Sequence, residues 1–160
     1  MYDMLVNLYK LPEKIVEAEG LDKEGILFKR VLAPDKGNVL QYVINHFHYG
    51  IANQCEIAFS NHPISCFIAI KDRKIIGFAC YDVIAQNYFG PIGVTEKYRG
   101  MGIGKVLTLK CLYAMREDGY GYGIIGGIDN TIEFYKKAVG AILIEDSTPG
   151  IFNRMKDVEE

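Results

Sequence analysis

The stretch Arg99-Gly100-Met101-Gly102-Ile103-Gly104-Lys105 has the residue types and spacing to hold an anion. Alternating glycines let backbone N–H groups approach a ligand closely. The run from Ile103 to Arg116 reads as a helix, and a helix start adds unpaired donors and a positive dipole end. The motif therefore argues for a bound phosphate or pyrophosphate. Two familiar phosphate loops fail in register. A G-x-G-x-x-G pattern counted from Gly100 needs a third glycine where Lys105 stands, and G-x-x-x-x-G-K-[ST] fails at Arg99 and at Val106. What remains is R-x-x-G-x-G, carried by Arg99, Gly102 and Gly104.

Composition narrows the alternatives. The 160 residues suit one domain with a substantial core, and 49% apolar with 24% charged content is ordinary for a globular chain. A formal net charge of −2 gives no electrostatic reason to expect nucleic acid or an anionic membrane surface. No apolar run reaches membrane-span length, and the acidic Met1-Tyr2-Asp3 start does not read as a secretory signal. Cys55, Cys66, Cys80 and Cys111 form no C-x-x-C, which argues against zinc. Cys66, Cys80 and Cys111 lie inside apolar runs, where thiols act as small hydrophobes, and a reducing cytoplasm fits.

The elements that must position the loop follow from periodicity. Residues 1–25 read as a peripheral arm before a core of about residues 26–155. Ile26–Leu32 reads as a strand, followed by a Pro34-led helix whose apolar positions are Val39, Tyr42, Val43 and Phe47. A second helix is expected over 51–59. A hairpin is expected from Ser65–Ile70 and Ile75–Val83 around the charged turn Lys71-Asp72-Arg73-Lys74. Tyr88–Val94 reads as a strand interrupted by Gly90, Pro91 and Gly93. Such a trio does not suit a regular central strand but suits one that splays from a neighbour. After the loop, positions 103, 106, 107, 111, 114 and 115 give the helix one apolar face, and Gly119 is expected to end it. Strands over 122–126, 141–144 and 151–155 and a helix over 131–139 complete the chain. This order predicts an α/β (α+β) sandwich with helices flanking a mixed sheet. If the strands on either side of the long helix are parallel, the loop lies at the C-terminal end of a strand, where such folds bind ligands.

At the residues Ile92-Gly93-Val94, Thr95-Glu96-Lys97-Tyr98 and Arg99 to Gly104, the chain resembles the GNAT-type N-acetyltransferase superfamily. Phe134-Tyr135-Lys136-Lys137-Ala138-Val139-Gly140-Ala141 resembles that family's helix-to-strand passage. The resemblance spans about residues 26–155. It implies a mostly antiparallel sheet of about six to seven strands with splayed central strands, and an acetyltransferase domain over 1–160. It implies acetyl-CoA as cofactor, with the pyrophosphate cradled by Arg99, Gly100, Met101, Gly102, Ile103, Gly104 and Lys105. The strand Ile92, Gly93 and Val94 would offer backbone groups to the pantetheine arm and thioester. Tyr135 would protonate the departing thiolate. The family often carries an Asn about seven residues before this Tyr; here that position is Ile128. The acceptor implied is a small-molecule or peptide amine.

Acetyl transfer to an amine also asks for a route for the amine proton. Glu56, Asp82, Glu96 and Glu133 are carboxylates near elements that could face the cleft. His46-Phe47-His48-Tyr49, between the first two helices, is expected to line the acceptor pocket by the same resemblance. Apolar strands near the C-terminus would allow a homodimer. A protein of another class, binding acyl-CoA without turnover, is the alternative reading.

Overall fold

The computed structural model describes residues 1–155. The elements are β1 (Tyr2–Asn7), α1 (Val16–Lys23), β2 (Ile26–Arg30), α2 (Lys36–His46), α3 (Tyr49–Ala58), β3 (Cys66–Lys71), β4 (Lys74–Tyr81), β5 (Tyr88–Val94), α4 (Ile103–Glu117), β6 (Tyr122–Ile128), α5 (Ile132–Val139) and β7 (Ile142–Leu143). The strands form one seven-stranded sheet in the order β2-β3-β4-β5-β6-β1-β7. Only β5 and β6 pair in parallel; the other neighbours are antiparallel. The mixed, mostly antiparallel sheet flanked by helices is thus the architecture expected from the sequence.

Period-two alternation sorts the core onto two faces. Cys66, Ile68, Phe78 and Cys80 face α2 and α3 with Val39, Val43 and Cys55, while Phe67, Ala69, Ala79 and Tyr81 share the other cluster with α4. The long helix α4 buries Ile103, Val106, Leu107, Cys111, Leu112 and Met115 there. Each such burial contributes about 1.5–3 kcal/mol. Gly119 (φ +101°) ends α4 in a Schellman arrangement: its N–H bonds Arg116 O at 3.0 Å and Tyr120 N–H bonds Met115 O at 3.1 Å. Asp72 and Arg73, both at positive φ, make the two-residue turn between β3 and β4.

Two expectations are corrected. Residues 1–25 are not a peripheral arm. β1 lies inside the sheet between β6 and β7, with Leu5 opposite both Ile124 and Ile142. Met4, Val6 and Leu8 are fully buried, because their alternation puts all three on one face. The segment 151–155 is not a strand. Residues Ile151–Arg154 form a 3₁₀ turn after Gly150 (φ +79°), and Phe152 lies against Gly127. The place beside β6 that a last strand would take is held by β1 instead.

Candidate active site

The site is built where β5 leaves β6. The two strands pair only at Tyr88–Ile124 and Phe89–Ile125, and β5 then diverges at Gly90 (φ +114°) and Pro91. On its other edge β5 stays paired with β4 through Ile92–Ala79, Gly93–Phe78 and Val94–Gly77. Thr95 N–H bonds Ile76 O at 2.9 Å. By antiparallel alternation the backbone groups of Gly93 then face β4, and those of Ile92 and Val94 face the open gap. The splay read from Gly90, Pro91 and Gly93 is present. Gly93 has a further reason to be glycine: a Cβ there would lie 2.5 Å from Phe47 Cζ and 2.8 Å from Phe78 Cε1.

The loop closes the wide end of the gap. Gly100 (φ +81°) and Gly102 (φ +94°) sit in the left-handed region. The first helical hydrogen bond of α4 is Val106 N–H to Gly102 O at 3.1 Å. The N–H groups of Ile103, Gly104 and Lys105 therefore precede the helix ladder and are free to meet an anion. Arg99 Nε donates to Val94 O at 3.0 Å, which ties the loop to the end of β5. The Lys105 ammonium pairs with Glu17 of α1.

A cavity of about 730 Å³ runs along this gap. It brings together Ile92, Gly93, Val94, Arg99, Gly100, Gly102, Ile103, Gly104, Lys105 and Tyr135, all singled out in the sequence. Met101 is the exception: 37% exposed, it does not line the cavity. Sequence reasoning missed Tyr98, Thr131, Phe134, Lys137 and Ala138 as lining residues. The amphipathic spacing of Phe134, Lys137 and Ala138 on α5 was the available signal.

Tyr135 is 6% exposed, and its ring packs edge-on to Phe89 and Phe134 at centroid distances of 6.2 and 4.9 Å. Ala141 N–H bonds Tyr135 O at 3.2 Å, so the left-handed end of α5 at Gly140 holds the residue in place. Burial pushes its phenol up to about 12. It is thus a proton donor across the physiological range. Tyr135 also borders a second cavity, of about 270 Å³, on the far side of Ile92, whose lining includes Ile51, Gln54, Tyr88 and Pro91. Two compartments therefore meet at Tyr135, Ile92 and Thr131.

The residues of the α2–α3 junction lie in different surroundings. Phe47 lines the larger cavity, His46 lines a separate one beside Tyr42, and His48 Nδ1 caps α3 by accepting from Gly50 N–H at 3.0 Å. It is Ile51 and Gln54, one turn further on, that reach the smaller cavity. None of the four carboxylates considered lines either cavity. Glu56 pairs with Lys36 at 2.8 Å and Glu133 with Lys136 at 3.0 Å; Glu96 starts an exposed 3₁₀ turn. Asp82 holds the β4–β5 loop by accepting from Asn87 N–H at 2.7 Å, and burial raises its carboxyl above the ordinary value. Among the described residues no cluster of His, Cys, Asp and Glu could hold a metal. The four cysteines are free and buried. No described helix is long and apolar enough to cross a membrane.

Comparison with known proteins agrees with this geometry. The profile of the acetyltransferase (GNAT) family matches residues 34–141. A GCN5-related glucosamine N-acetyltransferase region of a fungal multi-domain GH3 β-N-acetylglucosaminidase superposes over 89% of this chain and 19% of its own, with TM-score 0.72 and 13% identity. A GCN5-related N-acetyltransferase from Sphaerobacter thermophilus matches over 89% of this chain and 48% of its own, with TM-score 0.66 and 16% identity. An acetyltransferase of the GNAT family from Novosphingobium aromaticivorans gives TM-score 0.58 at 11% identity over 89% of this chain and 60% of its own. The chain thus spans less than two thirds of the length of each, and at these identities the likeness shows the fold. No curated protein sequence matches. The family match over most of the chain, the splayed β5 and the glycine loop at the start of α4 lead to one conclusion: this chain belongs to the GNAT acetyltransferase family.

Proposed function

We propose that the protein transfers an acetyl group from acetyl-CoA to a primary amine, by direct attack within a ternary complex. The observation that carries the reading is the meeting of two cavities at Tyr135, Ile92 and Thr131. The larger takes the cofactor. Arg99, Gly100, Gly102, Ile103, Gly104 and Lys105 hold the pyrophosphate through backbone N–H groups and cationic charge. Ile92, Gly93 and Val94 hold the pantetheine arm along the open edge of β5, and an N–H on that edge polarises the thioester oxygen. Phe134 and Lys137 line the same cavity. The smaller cavity takes the amine.

The amine nitrogen attacks the thioester carbonyl carbon, the C–S bond breaks, and Tyr135 gives its proton to the thiolate. Holding both reactants at one junction supplies the proximity that lets the reaction proceed without a covalent enzyme intermediate. The test is calorimetric titration with acetyl-CoA, followed by a thiol-release assay over a panel of amines. Saturable micromolar binding and amine-dependent thiol release are expected. Absence of binding at millimolar acetyl-CoA overturns the reading.

One observation favours a second reading, an acyl-CoA-binding module without turnover: no carboxylate or histidine lines either cavity. Binding without thiol release from any amine is its signature.

A further inference from the structure

Asp3 is the one carboxylate buried among the described residues, at 9% exposure. It sits on β1, the strand inserted beside β6. Its partners are few and long. Oδ1 accepts from Gly127 N–H at 3.4 Å, and Oδ2 accepts from the Tyr88 hydroxyl at 3.5 Å. No Lys or Arg forms an ion pair with it among the described residues. A buried carboxylate has room for about four hydrogen bonds and is costly to hold without a cation. A purely structural polar residue here would be served better by a neutral side chain.

The surroundings are shaped around this pair. Gly126 and Gly127 form part of the wall of the smaller cavity, with Asp3 directly behind them. A Cβ at Gly126 would lie 2.9 Å from Tyr88 Cε1 and 3.2 Å from Asp3 Oδ1. Any larger residue would push the tyrosine off the carboxylate. The ring of Tyr88 borders the cavity on one side and reaches Asp3 on the other.

We infer that Tyr88 and Asp3 take the proton from the acceptor, which enters the smaller cavity as a primary ammonium ion. The inference rests on the acetyl-transfer reading above. The ammonium N–H passes its proton to Tyr88 Oη as the Tyr88 proton moves to Asp3 Oδ2. The freed nitrogen lone pair then attacks the thioester carbon. The nitrogen's second proton replaces the one that Tyr135 gives to the departing thiolate, and Asp3 returns its proton to water through Tyr88 after product leaves. One ammonium and one thioester yield one amide, one thiol and one released proton. Tyr88 is the group that touches the amine; Asp3 acts through it and positions the hydroxyl.

The charged and titratable groups around the pair are few. Arg154, in the C-terminal 3₁₀ turn, acts on Tyr88 with its positive charge, and the Met1 ammonium at the start of β1 is paired with Asp129 at 3.1 Å. The Ser147 hydroxyl engages the backbone of Asp3 at 3.0 Å rather than its carboxylate.

The experiment compares wild type, Asp3→Asn and Tyr88→Phe at saturating acetyl-CoA with the best amine of the panel. The expected result is a fall of about 10²-fold in kcat/KM in either variant and the same fall, not a larger one, in the double variant. Cofactor affinity by calorimetry should stay within twofold. Should Asp3→Asn not fold, Tyr88→Phe keeps the ring and carries the comparison. Thiol release with unchanged kcat/KM in these variants, or falls that add in the double variant, overturns this inference alone. A wild-type protein that binds acetyl-CoA but acetylates no amine overturns it together with the transfer reading.

Discussion

Glu17, in the first turn of α1, accepts a hydrogen bond from the Lys105 ammonium in the first turn of α4, and its Cβ and Cγ stand 3.9 Å from where a Cβ on Gly102 would lie. A carboxylate is thus held over the glycine loop, beside the N–H groups that face an incoming anion. The hydrogen bond from Lys105 is the main reason the Glu17 carboxyl is held below its ordinary value, with its own backbone N–H second. The pair's contribution to stability is therefore present above the unfolded carboxyl's pKa and is lost as pH falls through the lowered folded value. Both side chains are about a third exposed, so the contribution is under about 1 kcal/mol.

The first prediction follows from that placement. Glu17→Gln frees Lys105 and removes a negative charge from beside the glycine loop, where the proposed reading puts the pyrophosphate. Acetyl-CoA should bind about fivefold more tightly, corresponding to roughly 1 kcal/mol of loop electrostatics. Calorimetry at 50 and 300 mM salt checks it, with the gain shrinking at high salt. Unchanged or weaker binding would mean that Lys105 does not face the phosphates.

A second prediction separates folding from binding within one loop. A Cβ on Gly104 would meet Phe134 Cζ at 3.7 Å and Val94 Cγ2 at 3.9 Å, which are ordinary contacts. Gly104→Ala should therefore fold, with a gain of up to about 1 kcal/mol from helix propensity. Its methyl group stands in the cavity between α5 and β5, so acetyl-CoA affinity should fall by about tenfold or more. Gly102→Ala should behave differently, because φ +94° strains any L side chain by about 1–2 kcal/mol. Melting temperature and cofactor affinity, measured together, should move in opposite senses for Gly104→Ala and fall together for Gly102→Ala.

How much of this was legible depended on how local each signal was. The loop was legible because its glycines, its cations and the helix behind it are consecutive. The splay was legible because Gly90, Pro91 and Gly93 break a strand that is otherwise apolar. Asp3 was not legible. Its burial follows from β1 entering the sheet between β6 and β7, a pairing across more than a hundred residues that no local pattern announces. Met4, Val6 and Leu8 did carry a strand's alternation, but three residues beside an acidic, Pro-containing stretch also suit an arm. Likewise, Ile151 to Met155 has strand-like residues, yet β1 already occupies the place beside β6.

The misread N-terminus gives a third prediction. Met4 is fully buried in the main core and faces Ile125 and Leu143 in the sheet. Met4→Ala should cost about 2–5 kcal/mol, as for other large-to-small core changes, whereas an arm residue would cost almost nothing. Urea denaturation of the two proteins decides between these magnitudes.

Thiol chemistry supplies a fourth. Cys80 stands opposite Cys66 in the β3–β4 pair, and its thiol is raised well above the ordinary value by contacts with Cys55 and Cys66 and by burial. Cys111 is raised by burial first. Neither forms the thiolate that reacts. Iodoacetamide at pH 8 should therefore label no cysteine in the native protein over an hour and all four in urea. Rapid native labelling of Cys80 or Cys111 would contradict the packing.

Tyr135 allows a fifth prediction with two independent readouts. Tyr135→Phe removes the hydroxyl of a residue that borders both cavities and keeps the ring against Phe89 and Phe134. If the hydroxyl protonates the thiolate, kcat should fall by about 10²-fold while acetyl-CoA affinity stays within twofold. The stability readout follows from the pKa, which burial raises from an ordinary value near 10 to about 12 in the folded state. A raised folded value stabilises the fold fully below the unfolded pKa, and this stability is lost as pH rises through the folded one. Wild type should therefore lose roughly 2 kcal/mol more than Tyr135→Phe between pH 10 and 12. Comparing the two proteins cancels the other buried tyrosines, including Tyr42 and Tyr81, which titrate in both. Equal losses would mean that the phenol is solvated, and a buried proton donor at the junction would then be the wrong description of Tyr135.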